Sequence, residues 1–166
     1  MSISKIELNM INKNYIELIR ELTPNQISYL MKSNRHKTTF FNQILMRVCK
    51  DLYGNKIKFN TKYYNGEFLT IDFTAFLESD VPFLVMEYEN GGYLDIINNE
   101  FKKLLSIDSP YKILVYNFKN LKRFSERYEY DLLFERQVSY MEKIFLQQKQ
   151  TCYFNLIGIQ YYNNSL

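Results

Sequence analysis

Apolar residues recur at helical spacing along the first third of the chain and change to strand-like alternation after it. Residues 3–21 carry apolar side chains three and four positions apart, which predicts an amphipathic helix. Thr23-Pro24 predicts the start of a second helix, because Thr caps helix N-termini and Pro fits the first helical position. A third helix is predicted over residues 39–53 and ends at Gly54. The predicted core-facing stripe of this third helix is Phe41, Ile44, Leu45, Val48 and Leu52.

The remainder of the chain predicts a sheet with helices between its later strands. Asn65-Gly66, a strong signal for a two-residue hairpin turn, separates the first two strands. The predicted strands are residues 56–64, 67–76, 81–90, 111–118 and 152–161, and the predicted helices among them are residues 93–105 and 121–148. Because no repeat or linker interrupts this order, we expect a single α/β domain over residues 1–166. Its N-terminal helices occupy residues 1–54 and its sheet core occupies residues 55–166.

Composition narrows the class of protein. The chain is 46% hydrophobic and 17% aromatic, which gives it enough apolar surface to fold and excludes a disordered chain. No apolar run approaches the ~20 residues that a membrane-spanning helix needs. The N-terminus carries charges throughout and lacks the apolar region of a secretory signal. We therefore expect an intracellular, cytoplasmic protein that does not enter a membrane.

The supply of metal-binding side chains restricts the kind of metal site. The chain has two cysteines, Cys49 and Cys152, and a single histidine, His36, with none of the spacing of a zinc motif. A disulfide framework is equally disfavoured. Any metal must be held mainly by oxygen ligands, which favours Mg²⁺ or Mn²⁺.

Three acidic residues lie on neighbouring predicted strands. Side chains alternate across a strand, so Asp72 shares a face with Thr70 and Thr74, opposite Leu69, Ile71, Phe73 and Ala75. Glu87 and Glu89 likewise share a face with Val85, opposite Leu84, Met86 and Tyr88. If the hairpin register places Asp72 beside Glu87, strands ~4.8 Å apart would bring the three carboxylates together. Such carboxylates raise one another's pKa, and a divalent cation would remove the conflict. The alternative is a solvated strand end whose acids pair with lysines.

The same residues resemble the PD-(D/E)xK nuclease superfamily, whose fold is that of restriction endonucleases and Holliday-junction resolvases. Asp72 matches the motif aspartate, and Glu87, 15 residues later, matches the (D/E) position. Ile71 stands where the proline of the motif name would be. Some members also carry a Glu-x-Glu-Asn string followed by a helix with Glu and Lys-Leu. Here these are Glu87-Tyr88-Glu89-Asn90, then Glu100 and Lys103-Leu104. The resemblance covers about residues 38–118 and implies a restriction-endonuclease-like core.

The resemblance implies a Mg²⁺- or Mn²⁺-dependent hydrolysis in which Asp72 and Glu87 bind the metal with the backbone carbonyl of Tyr88. Glu89 occupies the third motif position, where a lysine usually orients water and stabilises charge. A glutamate there could accept a proton or bind a second metal, and some type II restriction endonucleases also have one. Glu100 is a candidate ligand through water, although a surface pair with Lys103 explains both residues as well. Gln43 is a weaker candidate, for which an ordinary surface position is favoured.

Two local groups of basic residues are candidate contacts to nucleic-acid phosphates. The first is Arg35, His36 and Lys37, in a predicted loop between helices, and the second includes Lys119, Lys122 and Arg123. With a net charge of only +3, ordinary solvated surface is the favoured explanation of these groups taken alone.

Two functions remain open from the sequence. The first is a metal-dependent nuclease acting on nucleic acid, most readily DNA, in restriction, repair or junction processing. The second is a catalytically inactive protein of the same fold that serves as a nucleic-acid- or protein-binding subunit, which the missing third-position lysine favours. A homodimer or a larger complex is compatible with both.

Overall fold

Three helices form the N-terminal part of the computed structural model, which describes residues 4–30, 32–61, 69–89, 96–117, 127–147 and 152–159. Helix α1 (Lys5–Arg20) begins at a capping box between Ser4 and Glu7, and α2 (Pro24–Leu30) begins at the predicted Thr23-Pro24 step. Helix α3 (Asn34–Tyr53) ends at Gly54, whose φ of 60° suits a glycine. The three predicted helices are therefore confirmed.

The start of α3 differs from its prediction. It begins at Asn34 rather than at residue 39, because the Ser33 side chain caps it by accepting a hydrogen bond from the backbone N–H of His36. The basic residues of this segment therefore lie in the first turn of a helix. The expectation that His36 sits in a loop is wrong for this reason.

The sheet contains five strands in the order of the chain. They are β1 (Ile57–Thr61), β2 (Phe73–Leu77), β3 (Leu84–Glu89), β4 (Tyr111–Asn117) and β5 (Tyr153–Ile159). The pairings β1–β2 and β2–β3 are antiparallel, whereas β3–β4 and β4–β5 are parallel. A π-helical segment (Ile96–Phe101) and helix α4 (Lys102–Ser106) lie between β3 and β4, and helix α5 (Arg127–Gln147) precedes β5. The predicted α/β class and the order of elements are confirmed.

The register of the first two strands departs from the predicted hairpin. Thr61 pairs with Phe73, whereas a two-residue turn at Asn65-Gly66 would pair Tyr64 with Glu67. The turn itself lies outside the described residues. Strand β2 begins only at Phe73, so the prediction of a strand through residues 69–72 is wrong.

The cause of this late start is visible in the backbone. Leu69 and Thr70 have φ angles of 51° and 62°, in the left-handed region that side chains other than glycine rarely adopt. A strand cannot run through two such residues. Ile71 consequently packs on the face of the sheet opposite to Phe73 and Ala75, and not on their face as strand alternation predicts.

The sheet separates two hydrophobic cores. One, here called the α1–α3 core, contains Leu8 and Ile11 of α1 and the predicted α3 stripe. The other, the α4–α5 core, contains Phe101, Leu104 and Met141. Strand β3 contributes to both, with Leu84, Met86 and Tyr88 in the first core and Val85 in the second. The predicted alternation of this strand is confirmed. Among the described residues, no helix is both long and apolar enough to cross a membrane.

Candidate metal centre and active site

The register of the antiparallel pair β2–β3 brings two of the predicted acids together. Phe73 pairs with Met86, so the next position along the ladder sets Asp72 beside Glu87. The backbone N–H of Tyr88 donates a hydrogen bond to Asp72 Oδ2 at 3.1 Å, which holds the aspartate against the β3 strand. Asp72 reaches this place from the bend before β2 rather than from a strand interior.

All four predicted acids border one open cavity of about 250 Å³. Its lining is Thr38, Thr70, Asp72, Glu87, Tyr88, Glu89, Glu100 and Lys103. These residues come from the start of α3, the segment before β2, the end of β3 and the helical connection to β4. The cavity thus joins the four predicted acids with Tyr88, whose backbone carbonyl is a predicted ligand.

Glu87 is the most enclosed of these acids, with 3% of its surface exposed. Burial, and after it the neighbouring charge of Asp72, raise its pKa from the ordinary 4.5 to about 9. The hydrogen bond and charge of Lys103 act against this rise without offsetting it. A carboxyl group in this condition gains most from a cation that would stabilise its ionised form.

Lys103 is the residue of this cavity to which the sequence gave too little weight. Its Nζ lies 2.6 Å from Glu87 Oε1 and 2.6 Å from Glu100 Oε2, and it donates a hydrogen bond to the carbonyl of Thr70 at 3.2 Å. Burial alone would lower the pKa of Lys103, but the hydrogen bonds and charges of Glu100 and Glu87 raise it overall. The Glu100 contact is the predicted i, i+3 pair, yet the pair faces the cavity instead of standing on an ordinary surface.

Helix α3 fixes the position of Asp72 through Asn42. The Asn42 Nδ2 group donates a hydrogen bond to the backbone carbonyl of Asp72 at 2.9 Å, and the Asn42 side chain is almost fully buried. The neighbouring Gln43 is exposed and lines a different surface depression, as its favoured surface position predicts. The one sequence feature that points to a buried role for Asn42 is its position next to Phe41, which belongs to the core-facing stripe. Phe41 itself stacks on Tyr88 of β3 with ring centroids 4.9 Å apart.

The π-helical segment presents Glu100 to the cavity while its neighbour Phe101 anchors it. Phe101 is 1% exposed and contacts Phe154 of β5 with ring centroids 5.1 Å apart. π-helical turns are uncommon and occur frequently at functional sites. Leu69 and Thr70, with their left-handed backbone, border the same region, where the Thr70 carbonyl accepts the bond from Lys103. Strained backbone of this kind also concentrates at functional sites.

The predicted phosphate contacts differ in their exposure to solvent, and some of them lie outside the described residues. Arg35 is exposed, and His36 stacks on Tyr29 with ring centroids 4.5 Å apart. Lys37 is fully buried, so it does not fit a patch of surface cations. The second group, Lys119, Lys122 and Arg123, lies outside the described residues.

The cavity offers the oxygen donors that a hard divalent cation prefers. Within the described ranges, no three His, Cys, Asp or Glu side chains are arranged to hold a metal ion as they stand. Mg²⁺, however, usually binds through one or two carboxylates and keeps several waters. Asp72 and Glu87 are such a pair, with Glu89 and Glu100 on the same cavity. Cys49 lies inside the α1–α3 core, away from this oxygen-lined cavity.

Comparison with protein-family models, with curated proteins and with solved structures finds no match for this chain. The resemblance to PD-(D/E)xK nucleases therefore stays a prediction, carried by the residues of the motif. The helices followed by a five-stranded mixed sheet show an α/β fold.

Proposed function

We propose that this chain is a Mg²⁺-dependent nuclease that hydrolyses phosphodiester bonds in DNA, with Asp72 and Glu87 as its metal ligands. The observation that supports this most is that Asp72, in the bend before β2, is held against β3 beside Glu87, with the ammonium of Lys103 2.6 Å from Glu87. Phosphodiester hydrolysis needs an activated water and compensation of the charge that develops on the phosphate. Two carboxylates and one ammonium on a shared open cavity meet that requirement.

In this proposal, each residue has a distinct task. A divalent cation, when bound, supplies an activated water and neutralises the phosphate, and Asp72 and Glu87 hold that cation. Lys103 carries the positive charge that the third motif position lacks, and its side chain is 29% exposed, so a phosphate oxygen can reach it. Glu89 borders the cavity and can accept a proton from the attacking water. Asn42 is a positioning residue, because it acts on Asp72 and not on the substrate.

The test is a cleavage assay on labelled single-stranded, duplex and branched DNA, and on RNA, in Mg²⁺ and in Mn²⁺. We expect the wild-type protein to cleave at least one DNA form. Asp72→Asn and Glu87→Gln should each reduce the rate by about 100-fold or more, since each removes a charged ligand. Asp80→Asn, which removes the same charge from an exposed turn residue, should leave the rate unchanged. Cleavage that persists in Glu87→Gln, or that the wild type never shows, would sink the enzymatic proposal.

A second candidate function is a catalytically inactive subunit of the same fold. Two features favour it: no three metal-binding side chains of the described residues are arranged as a site, and the burial that raises the pKa of Glu87 opposes the ionised form that a cation needs. Calorimetric titration with Mg²⁺ and Mn²⁺ separates the two candidates. Absence of metal binding, together with a gel shift of DNA that remains intact, would favour the inactive subunit.

A further inference from the structure

The ammonium of Lys103 is surrounded by oxygen atoms in the way a bound cation would be. Its acceptors are the carboxylates of Glu87 and Glu100 at 2.6 Å each and the carbonyl of Thr70 at 3.2 Å. Both carboxylates lie within ion-pair distance of the ammonium, and the Thr70 carbonyl accepts a hydrogen bond from it. Lys103 therefore holds the side chains of Glu87 and Glu100 close to each other, as a small metal cation would.

A divalent metal at Asp72 and Glu87 would share a carboxylate with Lys103. Asp72, Glu87, Glu89 and Glu100 line the cavity together with the ammonium of Lys103. Carboxylate oxygens are ligands that a hard divalent cation prefers. A metal on Glu87 and an ammonium on the same carboxylate would repel each other at this separation.

Lys103 is also free to move without disturbing the fold. Its side chain is 29% exposed and has a flexible four-carbon stem. The helix that carries it is held in place by Leu104 and Leu105, which are buried in the α4–α5 core. Lys112 of β4 adds a hydrogen bond from its Nζ to the Leu104 carbonyl at 2.9 Å. The side chain can therefore swing while helix α4 stays in position.

We propose that a divalent metal at Glu87 displaces the ammonium of Lys103 from that side chain, so that metal binding releases the ammonium toward the substrate. This inference rests on the metal-dependent function proposed above. It assigns Lys103 two states: in the metal-free protein its ammonium lies against Glu87 and Glu100, and in the metal-bound protein it faces the open side of the cavity. The positive charge then becomes available to a phosphate only when the metal is present.

The first test uses the wild-type protein and chemical acylation of lysine side chains, read by mass spectrometry at each residue. We expect Mg²⁺ to increase the acylation rate of Lys103 about threefold or more, because the released amine leaves its three acceptors. Lys102, exposed on the same helix, should react at an unchanged rate. An unchanged or slower reaction of Lys103 in Mg²⁺ would overturn the inference, and this measurement does not depend on any variant folding.

The second test measures Mg²⁺ affinity by calorimetry in variants that differ in charge at one position. Lys103→Met removes the competing cation and should bind Mg²⁺ about tenfold more tightly than the wild type. Lys103→Arg keeps the charge and should bind with wild-type affinity. Lys102→Met makes the same net change in charge on the outer side of α4 and should alter affinity much less.

The outcomes separate the two proposals. If the wild type binds Mg²⁺ and Lys103→Met binds it with equal or lower affinity, the displacement of Lys103 is wrong while the metal-dependent function stands. If neither the wild type nor Lys103→Met binds Mg²⁺, the proposed function and this inference fall together. Tighter binding in Lys103→Met, with faster acylation of Lys103 in the wild type, supports both.

Discussion

Glu87 shows at the scale of one residue how burial prepares a side chain for a cation. Its carboxyl is enclosed beside Asp72, and these two causes, burial first, raise its pKa to about 9. In the unfolded chain the same carboxyl ionises near its ordinary value of 4.5. Between these two values the folded protein holds a proton that the unfolded chain has released. The unfolding free energy of the metal-free protein therefore decreases as pH rises through this interval.

This residue gives a prediction for stability against pH. The free energy of unfolding of the metal-free protein, measured by urea denaturation, should fall by at least about 1 kcal/mol between pH 5 and pH 9. Glu87→Gln should flatten that slope, since its amide does not titrate, whereas Asp80→Asn should preserve it. Mg²⁺ should also flatten the slope, because a metal replaces the proton. An identical slope in Glu87→Gln would show that other groups cause it.

At the scale of elements, the segment before β2 determines where Asp72 can reach. Two successive left-handed residues, Leu69 and Thr70, delay the strand and turn Ile71 to the opposite face. The sequence conceals this feature, because its apolar alternation continues without a break from residue 69 into β2. Alternation predicts the strand interior correctly and fails at its start, where a local backbone preference is overridden by the packing of Ile71 and the bond from Lys103 to Thr70.

The strain in this segment can be measured at Leu69, whose side chain is 65% exposed. Leu69→Asn should raise the free energy of unfolding by about 0.5–1 kcal/mol, because Asn adopts the left-handed region more readily than Leu. Leu146→Asn, at a comparably exposed position in helix α5, should not stabilise the protein. Thermal denaturation of both variants provides the comparison. A loss of stability in Leu69→Asn would mean that its side chain contributes more than its exposure indicates.

At the scale of the whole molecule, the cavity lies where the sheet meets both hydrophobic cores. Helix α3 of the first core supplies Thr38 and Asn42, and the helical connection packed on the second core supplies Glu100 and Lys103. The long periodic segments of the sequence predict the helices, the strand order and the Asp72–Glu87 pair. Lys103 could not be assigned in the same way, because its contact with Glu87 joins a strand to a helix through the tertiary structure. Local spacing shows only its pairing with Glu100.

The two cores should therefore differ in their influence on the site. Leu45→Ala in the α1–α3 core and Leu104→Ala in the α4–α5 core both truncate side chains with 0% exposure. Each should reduce the free energy of unfolding by about 2–5 kcal/mol in urea denaturation. Mg²⁺ affinity, measured by calorimetry at low temperature where both variants are folded, should change several-fold in Leu104→Ala and little in Leu45→Ala. Equal changes would contradict a special role for α4.

The contact of Lys103 with Glu87 has a consequence for the evolution of such sites. Positions 89 and 103 border the same cavity, so a positive charge at either one can serve the same carboxylates. In related chains we expect the two positions to covary, with a lysine at one accompanied by a neutral or acidic residue at the other. A chain without a lysine at the third motif position then carries that positive charge on a neighbouring helix. Evolution would then preserve the positions of the charged groups in the cavity while the amino-acid sequence of β3 changes.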